Sequence, residues 1–95
     1  MTVQGIIIKQ DKDNVAVVAD EVKNGDLVSC RLGDHVVEVT ALEEIPIYHK
    51  ICLADLKKGD IVIKYGEGIG RVTDDVKKGR YIHIHNLGLL KEDSV

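Results

Sequence analysis

Asp55-Leu56-Lys57-Lys58-Gly59-Asp60-Ile61-Val62 decides how this chain is read, because the same unit recurs twice. It returns as Glu21-Val22-Lys23-Asn24-Gly25-Asp26-Leu27-Val28 and as Asp75-Val76-Lys77-Lys78-Gly79-Arg80-Tyr81-Ile82. The shared pattern is acid, aliphatic, Lys, any residue, Gly, any residue, apolar, β-branched. The acid favours a helical first turn, and the glycine accepts the left-handed conformation that ends it. The aliphatic residue tucks underneath as a plug, and the residues after Gly begin a strand. Each unit therefore reads as a one-turn elbow between two strands. The spacings of 34 and 20 residues differ, which excludes a solenoid. The lysines of the elbows read as solvated turn residues around structural glycines.

Strands are expected around the elbows at Val3–Lys9, Val15–Ala19, Leu27–Leu32, His35–Ala41, Lys50–Leu53, Ile61–Tyr65, Ile69–Thr73 and Tyr81–Asn86. Asp11-Lys12-Asp13-Asn14 turns the first pair, and Gly33-Asp34 suits a type II′ hairpin. Ile45, ahead of the single proline Pro46, is pushed towards extended geometry. No segment sustains a helical period over three turns. The tail from Lys91 is polar. Short strands with glycine corners indicate one compact all-β domain over residues 1–95, of the barrel or clip type.

Composition limits what such a domain can do. A chain of 95 residues buries roughly 60–65% of its unfolded surface, which leaves one modest core and no enclosed active-site cavity. With three Tyr, no Phe and no Trp, that core must come from Val, Ile, Leu and Ala. Cys30 and Cys52 lack metal-ligand spacing and are expected to be buried reduced thiols. Nothing resembles a signal peptide or a membrane span, so a cytoplasmic location without membrane contact is expected. The net charge of −3 is uneven: residues 1–48 carry −5 and residues 49–95 carry +2, with three of the four histidines. Scarce aromatic residues and an acidic balance exclude a nucleic-acid footprint. A locally positive half suits a small anionic ligand instead.

The chemistry concentrates in that half. Tyr81–Asn86, read as a strand, puts His83 and His85 on one face with Ile82 and Ile84 on the other. Two imidazoles followed by the amide of Asn86 can grip a metal ion or a carboxylate. A metal needs a third ligand, for which His49 and Glu67 are the candidates. Lys64-Tyr65 ends a strand just before a glycine-rich turn, where side chains project into sites, and Lys64 can pair with a substrate carboxylate. Gly66-Glu67-Gly68-Ile69-Gly70 lacks the spacing of a phosphate loop and a following helix, so it reads as a tight turn between strands.

The run from Ile45 to Leu87 closely resembles the small N-terminal domain of the altronate and galactarate dehydratase family, which also includes the alpha subunit of sulfolactate sulfo-lyase. The matching residues are Ile45-Pro46, His49-Lys50, Asp55-Leu56-Lys57-Lys58-Gly59, Val62-Ile63-Lys64-Tyr65-Gly66-Glu67, Ile69-Gly70, Gly79 and His83-Ile84-His85-Asn86-Leu87. That domain belongs to the SAF group, named for sialate synthases, antifreeze proteins and flagellar assembly proteins, and its fold is the β-clip. The chain departs from the family where Tyr48 replaces a usual Gly, Tyr81 a usual His, and Gly68 a usual Val or similar residue.

The resemblance implies a lyase small subunit, inactive alone, that works with a separate large lyase subunit on a small anionic hydroxy acid. The implied reaction is β-elimination, with loss of water ahead of loss of sulfite. It implies His49, His83 and His85 as catalytic residues and Lys50, Lys64, Tyr65, Glu67 and Asn86 as substrate-binding residues. A divalent metal, iron in several members, is implied for the assembled enzyme, with His83 and His85 as its ligands here. Because Tyr81 replaces a histidine, weak or no metal binding is expected of this chain alone. Self-association stays open. The competing reading is a non-enzymatic SAF-type ligand-binding or assembly module.

Overall fold

The computed structural model describes residues 2–6, 13–32, 35–83 and 85–88. Among them are nine strands and no helix: β1 (Thr2–Ile6), β2 (Val15–Val18), β3 (Leu27–Leu32), β4 (His35–Thr40), β5 (Lys50–Cys52), β6 (Ile61–Lys64), β7 (Glu67–Val72), β8 (Tyr81–Ile82) and β9 (Leu87–Gly88). Six form one sheet in the order β4-β3-β1-β2-β5-β8, and three form a second in the order β6-β7-β9. Neighbours pair antiparallel except β1 and β3, which run parallel. The expected all-β clip is what forms. The Gly33-Asp34 hairpin, the end of the first expected strand, the first half of the Asp11–Asn14 turn and the tail from Lys91 lie outside the described residues.

Two aliphatic cores fill the fold, as the near-absence of aromatic residues requires. One gathers Val3, Ala16, Val18, Val22, Val28, Cys30, Val39, Ala41, Ile45 and Ile51; the other gathers Val15, Cys52, Leu56, Val62, Val72, Val76 and Ile82. Both cysteines are buried and free. Burial raises the Cys30 thiol to about 11, which keeps it protonated and inert.

Among the described residues the elbows number four rather than three. Gly25, Gly59 and Gly79 have φ of 96°, 93° and 95°, and Tyr48 joins them at 69°. Each closes a β-turn rather than the helical turn expected from the acidic start. Asp26 N–H donates to Lys23, His49 to Pro46, Asp60 to Lys57 and Arg80 to Lys77, at 2.8–3.1 Å. A positive φ at the third turn residue is what a type II turn demands.

Each elbow also clamps a neighbouring segment in the same way. The left-handed residue donates its N–H to a carbonyl (Gly25 to Ala41, Tyr48 to Val18, Gly59 to Val72, Gly79 to Cys52), and the clamped residue donates back one position further on. The plugs pair off by reciprocal hydrogen bonds, Val22 with Ile45 in the first core and Leu56 with Val76 in the second. The acids of the second pair cap each other's turns: Lys78 N–H donates to Asp55 at 2.9 Å and Lys58 N–H to Asp75 at 2.8 Å.

Tyr48 is the one elbow residue with a Cβ in the left-handed region, a placement that costs about 1–2 kcal/mol. Tyr48→Gly is therefore expected to leave stability unchanged or raise it by up to about 1 kcal/mol. Gly59→Val, which forces the reverse exchange in open space, should lower it by about 1 kcal/mol or more. Urea denaturation of both variants checks this; a loss above about 1 kcal/mol in Tyr48→Gly would refute the strain argument.

Strand β6 turns into β7 through Tyr65 and Gly66, whose φ values of 56° and 80° are the paired positive angles of a type I′ hairpin. The turn lies earlier than expected, and most of the glycine-rich run is β7 itself. Asp13 holds it, accepting from Gly66 N–H at 2.7 Å and Tyr65 N–H at 3.1 Å. Asn14 fixes the bulge between Val62 and Ile63, accepting from Ile63 N–H at 2.7 Å and donating to Ile61 C=O at 2.9 Å.

Candidate functional site

The strand that carries His83 and His85 in the sequence reading stops at Ile82. Instead, Asn86 N–H donates to His83 C=O at 3.1 Å and closes a turn; Ile84, expected on the opposite face, lies outside the described residues. Alternation across a pleat therefore cannot be what brings the two imidazoles together. The Asn86 amide does it. Its oxygen accepts from His83 N–H at 3.0 Å and its nitrogen donates to Tyr81 C=O at 2.8 Å. Asn86 thus works on the backbone of the turn, a different task from the ligand contact the resemblance implies.

The imidazoles gather around Tyr81. Its ring centroid lies 5.7 Å from His83, nearly parallel at 11°, and 5.1 Å from His85. His49 approaches from the second elbow, with its centroid 4.5 Å from His83 and its Nδ1 2.7 Å from the Tyr81 hydroxyl. Tyr81 itself is fixed by Glu43, which accepts from its N–H at 2.9 Å, and by pairing with Ile51 across β5. Sequence reasoning missed its role, recording it only as a departure from a family pattern. The signal available was a phenol spaced at i and i+2, i+4 with two histidines.

Lysines complete the cluster. Lys50 is half-buried on β5, opposite Val17 and Ile82. Burial holds its amine below the usual lysine value, and the charge of Lys64 adds to the effect. Lys64 sits on β6 with its Nζ 5.0 Å over the Tyr65 ring. Tyr65 is exposed at the hairpin tip, and Glu67 stands across the hairpin from Lys64. Of the two third-ligand candidates, it is His49 that meets His83.

His83 feels the concentration of positive charge. Partial burial first, then His49, Lys50 and His85, push its imidazole below the usual value. With the folded value below the unfolded one, the unfolded chain takes up the proton more readily. This contribution to stability is full above the unfolded value of about 6.5 and is lost as pH falls through it towards the lower folded value. Denaturation midpoints compared at pH 7.5 and 5.5 should fall less in His83→Gln than in the wild-type chain. An equal fall would show that His83 does not sense its neighbours.

Among the described residues, no three His, Cys, Asp or Glu side chains converge to hold a metal ion. The donor set here is imidazole and phenol with two ammonium groups nearby, which repels a cation and attracts an anion. His85 and Asn86 also line an open groove of about 330 Å³ whose walls include Glu43, Asp74 and Asp75. Lys77 and Arg80 line the same groove, where three acids outnumber two cations, so the Tyr81 side of the turn, with Lys50 and Lys64, is the face better suited to a carboxylate. No described helix is long and apolar enough to cross a membrane.

The altronate/galactarate dehydratase SAF domain family matches residues 4–90. The chain is 50% identical over 48 residues to (2R)-sulfolactate sulfo-lyase subunit alpha of Paracoccus pantotrophus, covering 50% of this chain and 72% of that one. It is 29% identical over 89 residues to the subunit of the same name from Chromohalobacter salexigens, covering 92% and 95%. It is 33% identical over 75 residues to altronate dehydratase of Bacillus subtilis, covering 79% of this chain but 14% of that enzyme. An all-β clip of paired elbows and a family match across nearly its whole length make this chain a member of the altronate/galactarate dehydratase SAF domain family.

Proposed function

We propose that this chain is the small subunit of a lyase that removes water from a hydroxylated carboxylic acid by β-elimination, together with a separate large catalytic subunit. The observation that carries the reading is the gathering of His49, His83 and His85 about Tyr81, with Lys50 near enough to bear on His83 and Lys64 near enough to bear on Lys50. Elimination needs a proton removed beside a carboxylate, and that proton is poorly acidic until the carboxylate charge is offset. Lys50 and Lys64 would bind the carboxylate, a base of the large subunit would take the proton beside it, and an imidazole, His49 foremost, would protonate the leaving oxygen, which departs as water. A cluster on an open surface cannot exclude water by itself, so the large subunit would close over it.

The relatives support a divided enzyme, since the Chromohalobacter alpha subunit is matched over 95% of its length. The same match favours a second reading in which the leaving group is sulfite, on the same residues. The divalent metal implied by the family, iron in several members, does not fit this cluster unaided, because the three imidazoles gather around the Tyr81 ring and no three His, Cys, Asp or Glu donors among the described residues are placed to hold one ion. Its remaining ligands would belong to the large subunit. The test is to reconstitute the chain with its large subunit and assay hexonates, aldarates and sulfolactate for elimination product. Release of sulfite alone selects the second reading. Full activity from the large subunit alone leaves a non-enzymatic binding module.

A further inference from the structure

We infer that Tyr81 is the positioning residue of this site: its phenol oxygen holds the His49 ring by Nδ1, 2.7 Å away, and leaves Nε2 as the nitrogen free to face a ligand. What Nε2 acts on rests on the functional reading above; the positioning itself rests on geometry. A hydroxyl both donates and accepts. It can donate to the bare Nδ1 of a neutral ring whose proton sits on Nε2, and accept from Nδ1–H once the ring is charged. One bond thus keeps His49 oriented in either protonation state, which a group that only donates or only accepts cannot do.

Tyr81 is held well enough to serve as a reference point. Its N–H donates to Glu43 at 2.9 Å, its C=O accepts from Asn86 at 2.8 Å, and its backbone pairs with Ile51. Its ring is half-buried, packs against the first core, and stacks on His83. His49, by contrast, follows the strained Tyr48 at an elbow, and its backbone bonds, to Pro46 C=O and from Val18 N–H, do not hold the ring itself. Relative to an imidazole at the same place, a phenol also adds no positive charge beside Lys50 and His83.

Tyr81→Phe keeps the ring and removes only the oxygen, so the fold is retained. In the full chain labelled with ¹⁵N at histidine, near pH 8, the wild-type His49 should be held in a single tautomer. In Tyr81→Phe it should become a mixture of tautomers, with His83 and His85 unchanged. In the reconstituted complex the variant should lower kcat about 10- to 100-fold and leave KM within about twofold. A His49 tautomer identical in both proteins overturns the positioning role, whatever the activity. A tautomer that shifts while kcat holds overturns its part in turnover. If the wild-type complex eliminates from no acid tested, the functional reading has failed, and the ¹⁵N result alone decides what Tyr81 does.

Discussion

Gly79→Ala should unfold this domain far more readily than Gly59→Ala, although both glycines occupy the same place in equivalent elbows. Both have φ near +95°, so each alanine incurs the left-handed penalty of about 1 kcal/mol. Their surroundings differ. A Cβ on Gly59 meets nothing within 4 Å, whereas one on Gly79 strikes the Thr40 carbonyl oxygen and comes to 3.2 Å from Leu42 Cγ. The carbonyl cannot yield cheaply, because Leu42 N–H donates to Gly79 C=O and ties the end of β4 to this elbow. Overpacking adds about 1–3 kcal/mol, a large part of the roughly 5–14 kcal/mol a domain this size has in total. Thermal melts should place Gly59→Ala about 5 °C below wild type and Gly79→Ala about 10–25 °C below. Equal shifts would mean that β4 gives way without cost.

The double variant His83→Ala with His85→Ala should lower the activity of the reconstituted complex at least about 100-fold while the small subunit stays folded. Loss of a positioned proton donor or acceptor costs about 10²–10⁴ in rate. Neither side chain belongs to either core, and the Asn86 bonds that hold the turn run to backbone atoms of His83 and Tyr81. Alanine leaves those atoms in place, so the stability change should stay within about 1 kcal/mol. Steady-state rates of elimination, paired with melts of the isolated chain, separate the two effects. A complex that keeps more than half its rate would remove the imidazoles from the reaction and leave the binding-module reading.

The fold was largely legible because its determinants are local. An acid, an aliphatic plug and a glycine at fixed offsets specify an elbow wherever they occur, and three of the four elbows carry all three signals. The fourth, Glu44-Ile45-Pro46-Ile47-Tyr48-His49, keeps the acid and the plug but has Tyr48 in the glycine position. Its turn follows from tertiary clamping: Tyr48 N–H donates to Val18 C=O and Val18 N–H donates to His49 C=O, and these bonds to β2, distant in sequence, outweigh the local preference against a left-handed tyrosine. The residues of the site were legible too, as types with the right chemistry in a positively charged half.

Their arrangement was not. Nothing in Tyr81–Asn86 announces that the strand ends at Ile82, because the stop comes from the Asn86 side chain bonding two backbone groups of its own turn. Nor does spacing bring His49 to Tyr81, 32 positions away, or Lys50 to Lys64; the sheet order and the clamp of each elbow do that. What the sequence by itself determined is the set of turns, the aliphatic core and the inventory of cationic side chains, all fixed by short-range sterics and hydrophobicity. Only the tertiary structure decided that a tyrosine stands at the centre of the three imidazoles, since pairing β5 with β8 is a long-range choice made by burying Ile51 and Ile82.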